Sequence, residues 1–408
     1  MKIKFFKPYI TGKEITYIKD LFDNRLDLSG DGKYTKKVQE FLEKRYKVKK
    51  VFLTTSGTTA LEMAVRLLNL KRGDEVIAPS FTFSSTINAI LISSDAKVVF
   101  AEIQNETLNI DPEDIKKKIT KKTRAIIVVH YAGVSCDMDK IMNIAQQYNL
   151  KVIEDAAQCI DAKYKNKYLG TIGDFGCLSF HDTKNITCGE GGALFINTNE
   201  KNMMENAEIF REKGTNRSKF FRGEIDKYTW VSTGSSVLPS DILAAFLLAQ
   251  LEKVQEITSK RLKIYNFYKK SLNKYVKAGI FSLPVVPKYA KHNAHIFYII
   301  FNSEKDRNFA MDYLKKNGVS ATFHYIPLHS SPQGVKLGFK ATDLEKTEEL
   351  SKCLLRLPIY SDMSEKETKY VIKIFKEMIK TLMNSKPKKL SKIVNKSINI
   401  NITTSSSI

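Results

Sequence analysis

The sequence lacks a long apolar run, and this absence excludes one class of protein at once. Over 408 residues it contains no stretch of about 18 consecutive apolar residues, the minimum for a membrane-spanning helix. Its first eight residues, MKIKFFKP, also lack the apolar core of a secretory leader. Hydrophobic and charged contents of 43% and 27% are typical of a globular protein. We therefore expect no membrane partner.

Cysteine is scarce as well. The chain has five, odd in number and without a repeated spacing: Cys136, Cys159, Cys177, Cys188 and Cys353. A disulfide framework needs paired cysteines, and a structural zinc site needs clustered ones. We therefore expect reduced cysteines, no bound metal and a cytoplasmic location.

Acidic residues are too few to balance the basic ones. Lys and Arg total 66 against 44 Asp and Glu, which gives a net charge of +22. The lysines are spread along the whole chain, and no helix-turn-helix, zinc-finger or RNA-binding signature is present. We expect no nucleic-acid partner, and we favour an anionic small molecule as the partner of this charge.

Short β-rich runs alternate with helical patterns between residues 50 and 198. The predicted strands are residues 51–54, 75–78, 97–100, 125–129, 152–155 and 193–196, and the predicted helices are 58–70, 84–93 and 138–148. This alternation predicts an α/β fold whose central sheet is mainly parallel and has helices on both faces. Ligands bind such sheets at the carboxyl ends of the strands.

The second half of the chain has a different pattern. A long helical region is predicted from 239 to about 272, and residues from about 280 to 382 form an α+β pattern with a clear strand at 296–301. The segment after residue 383 is rich in Lys, Ser and Asn, which is typical of disorder. We predict a large domain over 1–245, a small domain over 246–382 and a disordered basic tail over 383–408.

One polar motif follows the first predicted strand. Residues 54–61 read TTSGTTAL, so Gly57 and Thr58 stand where a strand turns into a helix. Glycine lets the backbone approach a ligand closely, and the free N–H groups of a helix start favour an anion. Ser and Thr also cap helices without binding anything. This motif alone is therefore a weak prediction of a phosphate site.

A second motif follows another strand, at residues 152–158, VIEDAAQ. Asp155 is expected at the end of a buried strand, where an unpaired carboxylate is unfavourable. A protonated pyridine nitrogen is a suitable partner for it, and Gln158 can offer an amide to a ring oxygen. The alternative is that Asp155 simply caps a helix.

The third motif is SFTFSST, residues 80–86, where an aromatic ring could stack on a flat heterocycle. Considered alone, Phe81 and Phe83 are better explained by core packing.

The fourth motif is SFHDTK, residues 179–184, before the glycine turn GEGG at 189–192. It places the Ser179 hydroxyl five residues before the Lys184 amine. A lysine amine beside a bound phosphate is the arrangement that pyridoxal phosphate (PLP) requires.

Together these motifs resemble the DegT/DnrJ/StrS family of PLP-dependent sugar aminotransferases over about residues 5–380. Within the family the chain is most similar to the dTDP-4-amino-4,6-dideoxygalactose transaminases. The segments that carry this closer likeness are GDG (30–32), HYAGV (130–134), SFHDTKN (179–185), REKGTNRS (211–218), DKYTW (226–230) and FHYIPLH (323–329).

The resemblance implies a type I PLP-dependent transferase fold, like that of aspartate aminotransferase, with a small C-terminal α+β domain. It also implies active sites shared across a homodimer. Lys184 would bond covalently to the cofactor. The other cofactor-binding positions implied are Gly57, Thr58 and Ser179 for the phosphate, Phe83 for stacking on the ring, and Asp155 with Gln158 at the pyridine ring.

One position departs from the family pattern. Many members carry Gly-Tyr-Asn-Tyr-Arg, whose Asn reaches the cofactor phosphate of the neighbouring subunit. This chain has GSSVL at 234–238, with Ser236 in place of the Asn. A serine hydroxyl is shorter than an asparagine amide. The branch that the chain resembles most shares this serine, so Ser236 is retained as a cofactor-binding candidate.

The resemblance also implies a reaction. Glutamate would donate an amino group, which would pass to C4 of a dTDP- or UDP-linked 4-keto-6-deoxyhexose in the galacto or gluco configuration. His324, Tyr325 and His329 fall where the family contacts the sugar, and ordinary packing is an equal alternative for them. The rival functions are amination of a 3-keto sugar, a PLP-dependent sugar dehydratase and a non-catalytic regulator. Lys184 disfavours the dehydratase, whose relatives carry histidine at this position.

Overall fold

The computed structural model describes residues 1–200 and 202–385. Its α-helices are α1 (Glu14–Asp23), α2 (Lys33–Tyr46), α3 (Gly57–Leu67), α4 (Ser84–Ser93), α5 (Pro112–Lys118), α6 (Met138–Gln147), α7 (Met203–Arg211), α8 (Arg217–Phe221), α9 (Asp241–Leu251), α10 (Val254–Lys277), α11 (Glu304–Lys316), α12 (Pro332–Lys336), α13 (Glu345–Cys353) and α14 (Glu365–Asn384). Its strands are β1 (Lys50–Thr54), β2 (Glu75–Pro79), β3 (Lys97–Ala101), β4 (Thr123–Val129), β5 (Lys151–Asp155), β6 (Lys163–Tyr164), β7 (Lys167–Tyr168), β8 (Phe175–Ser179), β9 (Gly192–Ile196), β10 (Phe281–Ser282), β11 (Ala290–Lys291), β12 (Phe297–Phe301) and β13 (Leu354–Leu357).

A seven-stranded sheet organises the first half of the chain, in the order β1-β9-β8-β5-β4-β2-β3. The strands from β8 to β3 pair in parallel, whereas β9 runs antiparallel to both of its neighbours. The prediction of a mainly parallel sheet is therefore confirmed. The carboxyl ends of β1, β2, β5 and β8 meet at one edge of the sheet, and the four motifs follow these ends.

Helices cover both faces of this sheet because its strands are apolar on both faces. In β4, Ile126 and Val128 pack in one hydrophobic core together with residues of α2, α6 and α9. The alternate residues Ala125 and Ile127 pack in a second core with α3 and α4. This two-residue alternation is what a strand buried on both faces requires.

The C-terminal part is an α+β unit, as the sequence pattern indicated. Its antiparallel sheet has the order β10-β12-β13, and α10, α11 and α14 pack against it in a third core. The change from the first core to the third occurs within α10, between Ile257 and Ile264. The boundary after residue 245 stays a prediction. The predicted tail, 383–408, lies outside the described residues except for its first three.

The predicted helical region 239–272 consists of two helices, α9 and α10. The break lies at Glu252 and Lys253, where neither Gly nor Pro marks an interruption. The described part of the chain contains no helix that has both the length and the apolar character needed to cross a bilayer.

Candidate active site

A cavity of about 490 Å³ opens at the carboxyl edge of the large sheet and extends to the small C-terminal sheet. The predicted residues that line it are Gly57, Thr58, Phe83, Asp155, Gln158, Ser179, Lys184, His324 and Tyr325. Residues from all four motifs therefore share one space. Ser236 and His329 are not among the lining residues.

One end of the cavity is formed by the start of α3. Ser56 caps this helix by accepting the N–H of Thr59 at 3.1 Å, which leaves the N–H groups of Gly57 and Thr58 without a partner in the described residues. A Cβ on Gly57 would lie 2.7 Å from the Cβ of Ser179, so only glycine permits this approach. Together with the hydroxyl of Ser179, these groups make an anion-binding corner.

Asp155 ends β5 and is buried beneath the cavity. Its carboxylate accepts hydrogen bonds from the Thr86 hydroxyl at 2.8 Å and from the Ala157 N–H at 3.1 Å. Burial raises the pKa of this carboxyl, and these two donors and the Lys184 amine oppose that rise. A cationic ring nitrogen would compensate the buried negative charge.

Lys184 follows β8 on a turn held by the hydrogen bond from its N–H to the carbonyl of His181 at 2.9 Å. Burial lowers the pKa of its amine, Asp155 opposes that effect, and Arg356 reinforces it. A lower pKa increases the neutral fraction of the amine. The neutral form is the one that can attack an aldehyde carbon.

Gln158 joins the floor of the cavity to its far wall. Its Oε1 accepts the N–H of Ala132 at 2.7 Å, and its Nε2 donates to the hydroxyl of Tyr325 at 3.3 Å. The orientation of the amide is fixed because one partner is a donor and the other can accept.

The two phenylalanines of the third motif have different positions. Phe81 is 1% exposed and packs edge-on to Tyr131, whereas Phe83 is 60% exposed and lines the cavity. The core-packing interpretation is therefore correct for Phe81. The position of Phe83 allows stacking on a flat ligand.

The two histidines of the segment FHYIPLH, residues 323–329, also occupy different positions. His324 lines the cavity, and its Nδ1 lies 3.1 Å from the hydroxyl of Tyr131. His329 is 0% exposed, and its Nδ1 lies 2.7 Å from the Ser80 hydroxyl, which also accepts the His329 N–H at 2.9 Å. His329 therefore fits the packing interpretation rather than sugar contact.

This separation gives a testable prediction. His329→Ala is expected to lower the free energy of unfolding by about 1–3 kcal/mol, because it removes the buried imidazole and its hydrogen bond with the Ser80 hydroxyl at 2.7 Å. It should leave the KM of the sugar unchanged. His324→Ala, the matched change five residues earlier, should raise that KM. Thermal unfolding and steady-state kinetics measure the two effects. A raised KM in His329→Ala with normal unfolding would contradict this assignment.

Sequence reasoning missed part of the lining. Phe5, Phe6, Arg261, His295 and Arg356 also line the cavity. Arg356 carried one detectable signal, since it is the single charged residue of the apolar strand β13, LLRL. The other four residues offered no local pattern, because the fold brings them in from distant parts of the chain.

Comparison with known proteins then identifies the chain. The model of the DegT/DnrJ/EryC1/StrS aminotransferase family matches residues 8–376. The chain belongs to this family. It is 34% identical over 381 residues to MJ1066 of Methanocaldococcus jannaschii, an uncharacterized protein, covering 92% of this chain and 97% of that one. It is 31% identical over 378 residues to GDP-perosamine synthase of Escherichia coli O157:H7, covering 92% and 98%.

Solved structures agree with the family assignment. The PLP form of Spr1654, assigned as a sugar aminotransferase of Streptococcus pneumoniae, has a TM-score of 0.85 at 26% identity, covering 93% of this chain and 99% of that one. The present chain therefore has the type I PLP-dependent transferase fold, and its cofactor is PLP. The chain is a PLP-dependent sugar aminotransferase.

The residues present fit this cofactor. The anion-binding corner at Gly57 suits its phosphate, the buried carboxylate of Asp155 suits its ring nitrogen, and the Lys184 amine suits its aldehyde. Among the described residues, no group of three or more His, Cys, Asp or Glu could hold a metal ion.

Proposed function

We propose that this enzyme transfers the amino group of glutamate to C4 of a dTDP- or UDP-linked 4-keto-6-deoxyhexose. The product would be a 4-amino-4,6-dideoxy sugar of galacto or gluco configuration. The observation that carries the proposal is that Lys184, Asp155 and the Gly57 corner open on one cavity. Its relative, GDP-perosamine synthase, makes a sugar linked to a nucleoside diphosphate, which supports a nucleotide-linked substrate here.

The cofactor residues are assigned roles within this proposal. Bound PLP supplies an electron-withdrawing ring that stabilises a carbanion at the reacting carbon. Asp155 holds the proton on the ring nitrogen, and Gln158 orients the ring oxygen. Gly57, Thr58 and Ser179 bind the phosphate, and Phe83 covers the ring. Lys184 anchors the cofactor and then moves the proton at the reacting carbon with its freed amine.

The proposal includes a homodimer with shared active sites. Ser236 is exposed outside the cavity of its own chain, a position compatible with contact to the phosphate of a partner subunit. Trp230, which is 74% exposed, and Phe221 add an unusual amount of exposed aromatic surface nearby. Light scattering that returned the mass of a single chain would contradict the dimer.

The five unpaired cysteines support a reducing, cytoplasmic location.

A two-part assay tests the reaction. Glutamate is expected to remove the visible absorption of the PLP-loaded enzyme, and the ketosugar is expected to restore it. Both dTDP- and UDP-4-keto-6-deoxyglucose should be offered, and the ring-proton couplings of the product should be measured by NMR. Those couplings report both the aminated carbon and its configuration.

The alternatives predict different results in the same assay. An amino group at C3 would identify a 3-keto sugar aminotransferase. If another amino acid removes the absorption and glutamate does not, the assigned donor is wrong. If no amino donor changes the absorption of the loaded protein, the regulator hypothesis replaces the enzyme.

A further inference from the structure

The backbone of residues 293–295, which precede β12, is held in place by side chains. Arg261 of α10 donates from Nε to the Ala294 carbonyl at 3.0 Å and from Nη2 to the His295 carbonyl at 2.8 Å. The Asn293 side chain accepts the His295 N–H at 3.1 Å, and its Nδ2 donates to two carbonyls of the turn after β5. His295 lines the cavity, so a fixed backbone presents its ring to that space.

The ring of His295 is fixed as well, and the position of its hydrogen follows from the hydrogen bonds. Asn185, the residue after Lys184, donates from Nδ2 to the Asn293 carbonyl at 3.0 Å. Its Oδ1 therefore faces the Nδ1 of His295, 2.9 Å away. An amide oxygen can only accept, so Nδ1 carries the hydrogen. The second ring nitrogen, Nε2, has no hydrogen-bond partner within the described residues.

The imidazole of His295 is also held neutral. It is 7% exposed, and burial lowers its pKa well below the usual value for histidine. Four basic side chains lower this pKa further: Lys184, Arg261, Arg356 and His324. Near neutral pH the Nε2 atom therefore keeps its lone pair. It offers a ligand a hydrogen-bond acceptor and no donor.

We propose that Nε2 of His295 accepts a hydrogen bond from the 3-hydroxyl of the ketosugar, the hydroxyl next to the carbonyl carbon that receives the amino group. This inference rests on the proposed function, because it assumes a 4-keto-6-deoxyhexose. Such a sugar, linked through C1, has hydroxyls at C2 and C3 only. On the other side of the reacting carbon, C5 carries a methyl group and the ring oxygen, and neither can donate.

Position and charge favour this hydroxyl over the other groups of the two substrates. His295 is close enough to the Lys184 amine for that amine to lower its pKa, and the 3-hydroxyl is one carbon from the reacting centre. The carboxylates of glutamate and the diphosphate of the sugar are acceptors, which a nitrogen without hydrogen does not bind. The ammonium group of glutamate would add a positive charge among basic side chains, whereas a hydroxyl adds none.

Calorimetry with an unreactive pair of ligands tests the proposal. dTDP- or UDP-6-deoxyglucose has a hydroxyl instead of a ketone at C4, so it cannot be aminated, and its 3-deoxy analogue lacks only the proposed donor. The unmodified PLP-loaded enzyme is expected to bind the parent about 10- to 100-fold more tightly, because the analogue leaves Nε2 unsatisfied. His295→Phe, which has a ring but no acceptor, should bind both ligands with equal affinity.

His292→Asn is the matched control. His292 belongs to the same segment, and its ring packs 4.4 Å from that of Tyr265, but it is not a lining residue. Its Nδ1 accepts the Ala294 N–H at 3.2 Å, a bond that the asparagine oxygen can retain. The preference for the 3-hydroxyl should be unchanged in this variant.

If His295→Phe does not fold, His295→Asn provides the second test. Its amide keeps a donor for Asn185, but its shorter side chain removes the acceptor from the Nε2 position, so it should also bind the two ligands equally. Stopped-flow measurement adds a kinetic readout. Either variant should impair the half-reaction with the ketosugar at least about tenfold more than the half-reaction with glutamate. Equal impairment of both would show that His295 acts on Lys184 or the cofactor and would overturn the proposal.

The outcomes separate this contact from the proposed function. Equal binding of the two ligands by the unmodified enzyme would refute the contact while leaving the sugar aminotransferase reaction intact. A preference for the 3-hydroxyl that survives in a folded His295→Phe protein would assign that hydroxyl to another residue. Amination at C3 in the product assay would reject both the proposed substrate and this contact.

Discussion

Lys184→Ala is expected to abolish transamination while leaving a folded protein that still binds PLP. In the proposed reaction Lys184 is both the covalent anchor of the cofactor and the amine that moves the proton at the reacting carbon, and the substitution removes both. We expect kcat to fall by more than about 10⁴-fold, beyond the usual contribution of a single general acid–base group. Absorption spectra, borohydride reduction followed by peptide mapping, and single-turnover kinetics with glutamate measure the loss.

A control and a rescue make this result specific. Lys121, exposed at the amino end of β4 and therefore at the opposite edge of the sheet, should tolerate alanine without effect. Small primary amines added to Lys184→Ala should restore part of the rate, since they replace the missing proton carrier. If reduction labels a different lysine, Lys184 is not the covalent residue and the proposed site is wrong.

The strands and helices around the anion-binding corner could be predicted because the sequence patterns that indicate them are local. The strand predicted at 75–78 is β2, Glu75–Pro79, and the helix predicted from residue 58 begins at Gly57, one position earlier. An apolar run followed by a polar turn is sufficient to identify such a strand end. The parallel arrangement then brings the four motifs to one edge.

The far wall of the cavity was not predictable in the same way. Arg356 reaches it because β13 pairs with β12, and Phe5 reaches it because Ile3 forms a bridge with Val319. Both contacts join residues that are far apart in the chain, and neither leaves a periodic pattern in the sequence. Which residues line a cavity formed by long-range pairing can only be read from the structure.

His324 and His329 show the same limit within a single motif. They lie five residues apart, and both side chains are imidazoles with the same capacity to bind a ligand. The structure separates them because the Ser80 hydroxyl binds both the N–H and the ring of His329. Ser80 is 249 residues away in sequence, so no local rule distinguishes the buried histidine from the one at the cavity.

Asp155→Ala is expected to slow both half-reactions by about 10²- to 10³-fold, comparable to the loss of one preorganised electrostatic group in an active site. The carboxylate is held by Thr86 and Ala157 in a buried position, where burial raises its pKa. A positive ring nitrogen would offset that burial and would itself stay protonated. Without the carboxylate the nitrogen loses its proton and the ring withdraws electrons less strongly.

A cofactor methylated at the pyridine nitrogen distinguishes this electrostatic role from a structural one. Its positive charge is permanent, and its methyl group can occupy the space left by the carboxylate. It should therefore recover part of the rate in Asp155→Ala and inhibit the unmodified protein, where methyl and carboxylate collide. Asp95→Asn, an exposed control on the loop after α4, should behave like the unmodified protein. Failure of the methylated cofactor to restore any activity, in a variant that binds it normally, would show that Asp155 does more than keep the nitrogen positive.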